Sequence, residues 1–126
     1  MTEANFTKQV DRDRDLTVVT VTGQVSMADL LSELRAFYGG PFTSKVLCDF
    51  SGSKVPDLTI ERLRAFVTEA RVLARQRLSG KTALVGQGAG YGMARMYEAL
   101  STMTGHPIPI AVFRTTAEAL TWLLQE

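Results

Sequence analysis

The sequence predicts a single α/β domain: a five-stranded, mostly parallel sheet with an antiparallel first strand and four helices. Three observations carry this reading. Short apolar runs at 45–50, 81–85 and 108–113 alternate with longer segments whose apolar residues recur at helical spacing. Strands separated in this way are joined by crossovers, and right-handed crossovers make them parallel neighbours beneath a helical layer. Two earlier runs, 6–11 and 16–22, are divided only by the charged Arg12-Asp13-Arg14-Asp15, so they pair as a hairpin and set the first strand antiparallel at an edge. With 126 residues, 45% of them hydrophobic and 21% charged, the chain has the length and composition of one globular domain.

Each element has a local cause. Ser26 and Asp29 fit a capping box, and Met27, Leu30, Leu31, Leu34 and Phe37 follow on one face until Gly39-Gly40-Pro41 stops the first helix. The run at 45–50 ends at Asp49 and an expected Ser51-Gly52-Ser53 turn. Thr59 caps the second helix, Glu61 suits its first turn, and an apolar face from Ile60 through Leu63, Phe66, Val67, Ala70 and Ala74 continues towards Ser79-Gly80. After the strand at 81–85, glycines at 86, 88, 90 and 92 are expected to form a loop. The third helix then carries Met93, Met96, Tyr97, Leu100 and Met103, and ends before Gly105 and Pro107. Thr115 to Glu118 cap a final helix through Leu120, Leu123 and Leu124.

Composition narrows the chemistry. Cys48 is the one cysteine and His106 the one histidine, so neither an internal disulfide nor a Cys/His zinc site can be assembled, and no metal or cofactor is expected. Fourteen basic against thirteen acidic residues give a net charge of +1, which argues against nucleic-acid binding. No apolar run approaches the ~18 residues of a membrane span, and the opening Met1 to Phe6 lacks the basic and apolar regions of a leader, so a cytoplasmic protein without membrane insertion is expected.

In open sheets ligands gather beyond the carboxyl ends of the strands, which makes Asp49, Gln87, Gly88, Gly90, Tyr91, Arg95 and Arg114 the candidate ligand residues. The glycine run either exposes amides to an anion or permits close helix–sheet packing; it matches neither the dinucleotide nor the P-loop spacing. Arg95 either clamps an anion or pairs with Asp49 or Glu98. Asp49 is either a binding carboxylate or the acceptor of an Asx turn. No G-x-S-x-G elbow surrounds Ser51 or Ser53, and no nucleophile and base pair can be named, so no catalytic residue is expected. Cys48 reads as a buried small hydrophobe and His106 as an exposed loop residue. The second helix carries Arg62, Arg64, Arg71, Arg75 and Arg77, of which Arg64, Arg71 and Arg75 fall along one line. This stripe is either a solvated face or a contact with an acidic partner, and with Val55 and Leu58 it makes the candidate interface. Met93, Met96 and Met103 are either core or the lining of an apolar cavity.

The element order, the segment Tyr91-Gly92-Met93-Ala94-Arg95-Met96-Tyr97 and the closing Val112-Phe113-Arg114 with Ala117 to Leu123 resemble the SpoIIAA-like family of the wider STAS group, whose fold is similar to that of the CRAL-TRIO lipid carriers. The resemblance implies a small bacterial cytoplasmic domain without established catalysis: a protein-interaction or regulatory module whose partner is another protein or a second copy. The alternative it leaves is a carrier or sensor of a lipid or small anionic ligand at the strand-end rim. Phosphorylated members of the group carry an Asp-Ser-Ser-Gly turn. Here the matching stretch is Asp57-Leu58-Thr59-Ile60, which keeps the aspartate but offers only Thr59 as a hydroxyl, so Thr59 is expected to be a helix cap.

Overall fold

The computed structural model describes residues 3–125. Their order is β1 (Asn5–Asp11), β2 (Leu16–Gln24), α1 (Met27–Tyr38), β3 (Lys45–Lys54), α2 (Ile60–Ala74), β4 (Lys81–Val85), α3 (Ala89–Met103), β5 (Ile110–Phe113) and α4 (Thr116–Leu123). The strands lie in sequence order across one five-stranded sheet, with β1 antiparallel to β2 and every later pair parallel. Successive right-handed crossovers between adjacent parallel strands put α1, α2 and α3 on one face. Only α4, which follows the last strand, turns back over the other.

Strand alternation divides the apolar residues between these faces. Leu16, Leu47, Ala83 and Val85 point towards α4 and close a core with Ala119 and Leu123, flanked by Val18, Phe113, Leu120 and Trp122. Leu47 and Leu123 have 1% and 0% of their surfaces exposed, and burying a side chain of that size contributes roughly 1.5–3 kcal/mol. The alternate positions, Val19, Val21, Val46, Cys48, Leu84 and Ile110, face the three-helix layer.

That second layer is looser. Among the described residues no Cα of α1 or α2 comes within 8 Å of a strand Cα, whereas α3 and α4 both do. Small residues explain the close pair: Ala94 on α3 and Ala119 on α4 are 1% and 0% exposed and let backbone approach backbone. The α1 face bears Leu30, Leu34 and Phe37, all of them only half-buried. A bidentate contact of Arg35 with Glu69 joins α1 to α2, and the rings of Phe66 and Tyr97, 5.8 Å apart, join α2 to α3.

Several expected boundaries move for identifiable reasons. The Ser51-Gly52-Ser53 segment is strand, not turn: between the pairs Thr20–Asp49 and Thr22–Gly52, Phe50 and Ser51 together oppose Val21, and this bulge absorbs the polar residues without ending β3. Pairing resumes to Gln24–Lys54, which also lengthens β2. The expected glycine loop is shorter, because Gly90 and Gly92 lie inside α3 and only 86–88 connect it to β4. Gly86 passes so near Phe50 that a Cβ there would sit 2.9 Å from the ring. The last strand begins at Ile110, with Ile108 buried just before it. Arg75 and Arg77 lie beyond the end of α2; Arg77 turns inward and is 6% exposed, so it leaves the basic stripe altogether.

Candidate functional site

At the carboxyl ends of the strands the expected residues separate into small engaged groups. Asp49 accepts from the Ser51 amide at 3.0 Å and from its hydroxyl at 2.6 Å, an Asx-type arrangement. Arg95 pairs with Glu98 at 3.1 Å, one turn along its own helix, and has no contact with Asp49. Arg114 stacks over the Tyr91 ring at 3.9 Å, and Gln87 Nε2 donates to the Arg114 carbonyl at 3.4 Å. Gly88 has a φ of 56° and begins α3 without a side-chain cap. The amides of Gly90 and Tyr91 donate to the Gln87 carbonyl. Gln87, Tyr91 and Arg114 therefore form one cluster, while Asp49 and Arg95 stand apart from it.

The expected interface residues also distribute differently. Val55 and Leu58 are half-buried and line an internal cavity rather than forming an outward apolar patch. Asp57 accepts from the Met27 amide at 3.0 Å and so tethers the start of α1, while Thr59 accepts from the Arg62 amide at 3.1 Å as the α2 cap. Arg64 is exposed, and Arg71 donates to the Thr104 carbonyl at 2.7 Å, locking α2 to the end of α3.

The cavity is the feature that residue spacing did not reveal. It occupies about 310 Å³ between the sheet and α1–α3, at the lower end of the ~300–1,000 Å³ typical of ligand pockets. Its walls are mostly apolar: Val19, Val21, Val46 and Leu84 from the sheet, Leu30, Leu34 and Phe37 from α1, Leu63 and Phe66 from α2, and Met93 from α3. Met93 alone of the three α3 methionines takes part, since Met96 and Met103 are 46% and 80% exposed. Lys8, Glu33 and Ala36 line the cavity and are also exposed, which places its opening between the β1 edge and α1.

Polar lining gathers near the amino ends of β3 and β4. Arg77 lies there, its Nη1 donating to Thr82 Oγ1 at 2.7 Å and its Nη2 to the Ser44 and Lys81 carbonyls. Nearby Cys48 lies in an apolar setting that pushes its thiol up to about 11, so it stays a neutral thiol. Desolvation also raises the Tyr97 phenol well above its ordinary value. His106, expected to be an exposed loop residue, is half-buried in the lining, because the Ser101 carbonyl accepts from its backbone amide and folds the loop inward. Desolvation holds its imidazole below the usual value, and Nδ1 meets both backbone groups of Ile108, lying 3.0 Å from the carbonyl and 3.1 Å from the amide. Protonated on Nδ1 the neutral ring donates to that carbonyl, and protonated on Nε2 it accepts from that amide.

No protein-family model matches the sequence, and no curated protein matches it. Solved structures do. An uncharacterized protein of the DUF3478 family with a SpoIIAA-like fold, from Shewanella loihica, superposes with a TM-score of 0.57 at 17% identity, over 98% of this chain and 97% of that one. An anti-sigma factor antagonist from Mycobacterium paratuberculosis superposes with a TM-score of 0.58 at 18% identity, over 96% of both chains. The chain has the SpoIIAA-like fold. Among the described residues no helix is long and apolar enough to cross a membrane.

Proposed function

We propose that this chain is a non-catalytic regulatory module that takes an apolar or amphipathic small molecule into the cavity between its sheet and α1–α3. The observation that carries the reading is the cavity itself. Close-packed interiors contain few voids larger than a water molecule, and an unfilled one forfeits dispersion contacts all along its walls. A domain of this size keeps some 310 Å³ of apolar space because α1 and α2 stand off the sheet. A ligand there restores the lost contacts and ties the α1–α2 pair to the strands. The rim groups support a binding role over a chemical one, since Asp49, Arg95 and Arg114 are each engaged by a neighbour.

Isothermal titration with dodecan-1-ol tests this. Saturable binding of one molecule, abolished by Val19→Trp in a folded protein, is expected; a flat titration with the wild-type protein overturns the proposal.

A second reading, a protein contact through α2, is favoured by one observation. Ile60, Arg64, Thr68 and Val72 follow at four-residue intervals along an exposed line that ends at Arg75, and Ile60 and Val72 are 47% and 50% exposed. Apolar centres with a basic border suit an acidic partner or a second copy. The solved anti-sigma factor antagonist has a matching fold, which fits a regulatory contact of this kind. Light scattering of the wild type and of Ile60→Asp tests the homodimeric form. A mass of two chains that falls to one in the variant supports it, and a monomeric wild type at high concentration removes it.

A further inference from the structure

The chemistry of the cavity's inner end narrows what it would hold. Arg77 is a cavity-lining guanidinium with 6% of its surface exposed. A charge so placed normally has a carboxylate beside it, because burying a charge without a partner is costly. Among the described residues no carboxylate lies within 4.0 Å of it. Its hydrogen bonds go to one hydroxyl and two carbonyls, all neutral, and its Nε has no partner. The Asp15 carboxyl lies within electrostatic reach but not in contact: the Arg77 charge helps to hold it low, and Ser44 stands between them, its amide donating to Asp15 while its carbonyl accepts from Arg77.

The neighbouring polar groups are alike in kind. The Thr82 hydroxyl accepts from Arg77 and keeps its own proton to give, and the Tyr97 phenol stays protonated. Each is a donor at neutral pH. The one acidic side chain in the lining, Glu33, is exposed on α1 at the opening. The cavity thus has an apolar body, an inner end with hydroxyl donors and a positive charge that no carboxylate touches, and an opening beside β1.

We propose that the cavity binds a single-chain amphiphile with a compact anionic head, its alkyl chain among the side chains of α1 and the sheet and its head at the Arg77 end. The proposal rests on the cavity-binding reading above and adds the sign of the charge and the direction in which the molecule lies. A carboxylate or phosphate head puts a negative charge in contact with Arg77 and accepts from Tyr97 and Thr82. An alcohol head supplies no charge, and a quaternary ammonium head meets the charge of Arg77 without an acceptor to compensate.

Titrations with dodecanoate, dodecyl phosphate, dodecan-1-ol and dodecyltrimethylammonium, matched in chain length and kept below their critical micelle concentrations, decide it. Either anion is expected to bind at least tenfold more tightly than the alcohol, with the ammonium weakest; which anion is preferred identifies the head. Because Arg77 also ties β3 to β4, the variants to use are Tyr97→Phe and Thr82→Val, each checked for native circular dichroism. Both should reduce the preference for anion over alcohol severalfold and leave alcohol binding unchanged. If alcohol, ammonium and anion bind equally, or the ammonium binds best, the anion proposal falls while the cavity reading stands. If none of the four binds, the cavity reading itself has failed.

Discussion

Thr59 shows how a single side chain decides between structure and regulation. Its hydroxyl accepts from the Arg62 amide, one of the donors that the first turn of a helix leaves without a partner. Thr59→Ala should therefore cost about 0.5–2 kcal/mol in chemical denaturation, and Thr59→Ser little. His106 carries a prediction in pH. Burial holds its imidazole below 6.5, so as pH falls the unfolded chain takes up the proton first. The stability linked to neutral His106 is complete above 6.5, declines as pH falls towards the lower native value, and then levels off. Urea midpoints measured across this window should fall in the wild type and stay flat in His106→Gln. Asp15, lowered by hydrogen bonding from Ser44, acts in a separate and more acidic window: its contribution is present above 3.8 and is lost as pH falls through its native value.

Among the elements, the contrast between α4 and α1 follows from side-chain size. Ala119 brings α4 onto the sheet, and replacing it with leucine forces extra volume into a filled space. Ala119→Leu should cost about 1–3 kcal/mol. Val19 faces the other way, into the cavity, where an added ring meets open volume. Val19→Phe is expected to leave the melting temperature within a few degrees of wild type while weakening dodecanol binding at least tenfold. A large loss of stability in Val19→Phe would mean that this wall is already closed. Hydrogen exchange gives an independent check, since an element whose apolar face is only half-buried opens more readily than one packed on a full core. Amides of α1 should exchange faster than those of α4 in the unliganded protein and slow when dodecanol is added.

At the scale of the whole molecule, a ligand that binds only the folded form raises its stability by about 2.7 kcal/mol at a hundredfold excess over Kd. A melting curve that does not shift on saturation with dodecanol or dodecanoate would contradict the cavity reading. Periodicity and punctuation were enough for the order of the elements, the antiparallel first strand and the three side-chain caps, because each depends on neighbours a few residues away. Helical and strand periods say which face is apolar. They do not say how far that face stands from the one opposite, since the spacing of two layers is set jointly by side chains distant in the chain. This is why the α1 residues Leu30, Leu34 and Phe37 read as core but line a cavity. It is also why Arg77, which reads as one more arginine of the second helix, is found in the cavity lining: the helix stops at Ala74, and the turn beyond it carries the guanidinium to the Ser44 and Lys81 carbonyls. The fold follows from local signals repeated along the chain, whereas the cavity and its charge arise only when segments thirty or more residues apart meet.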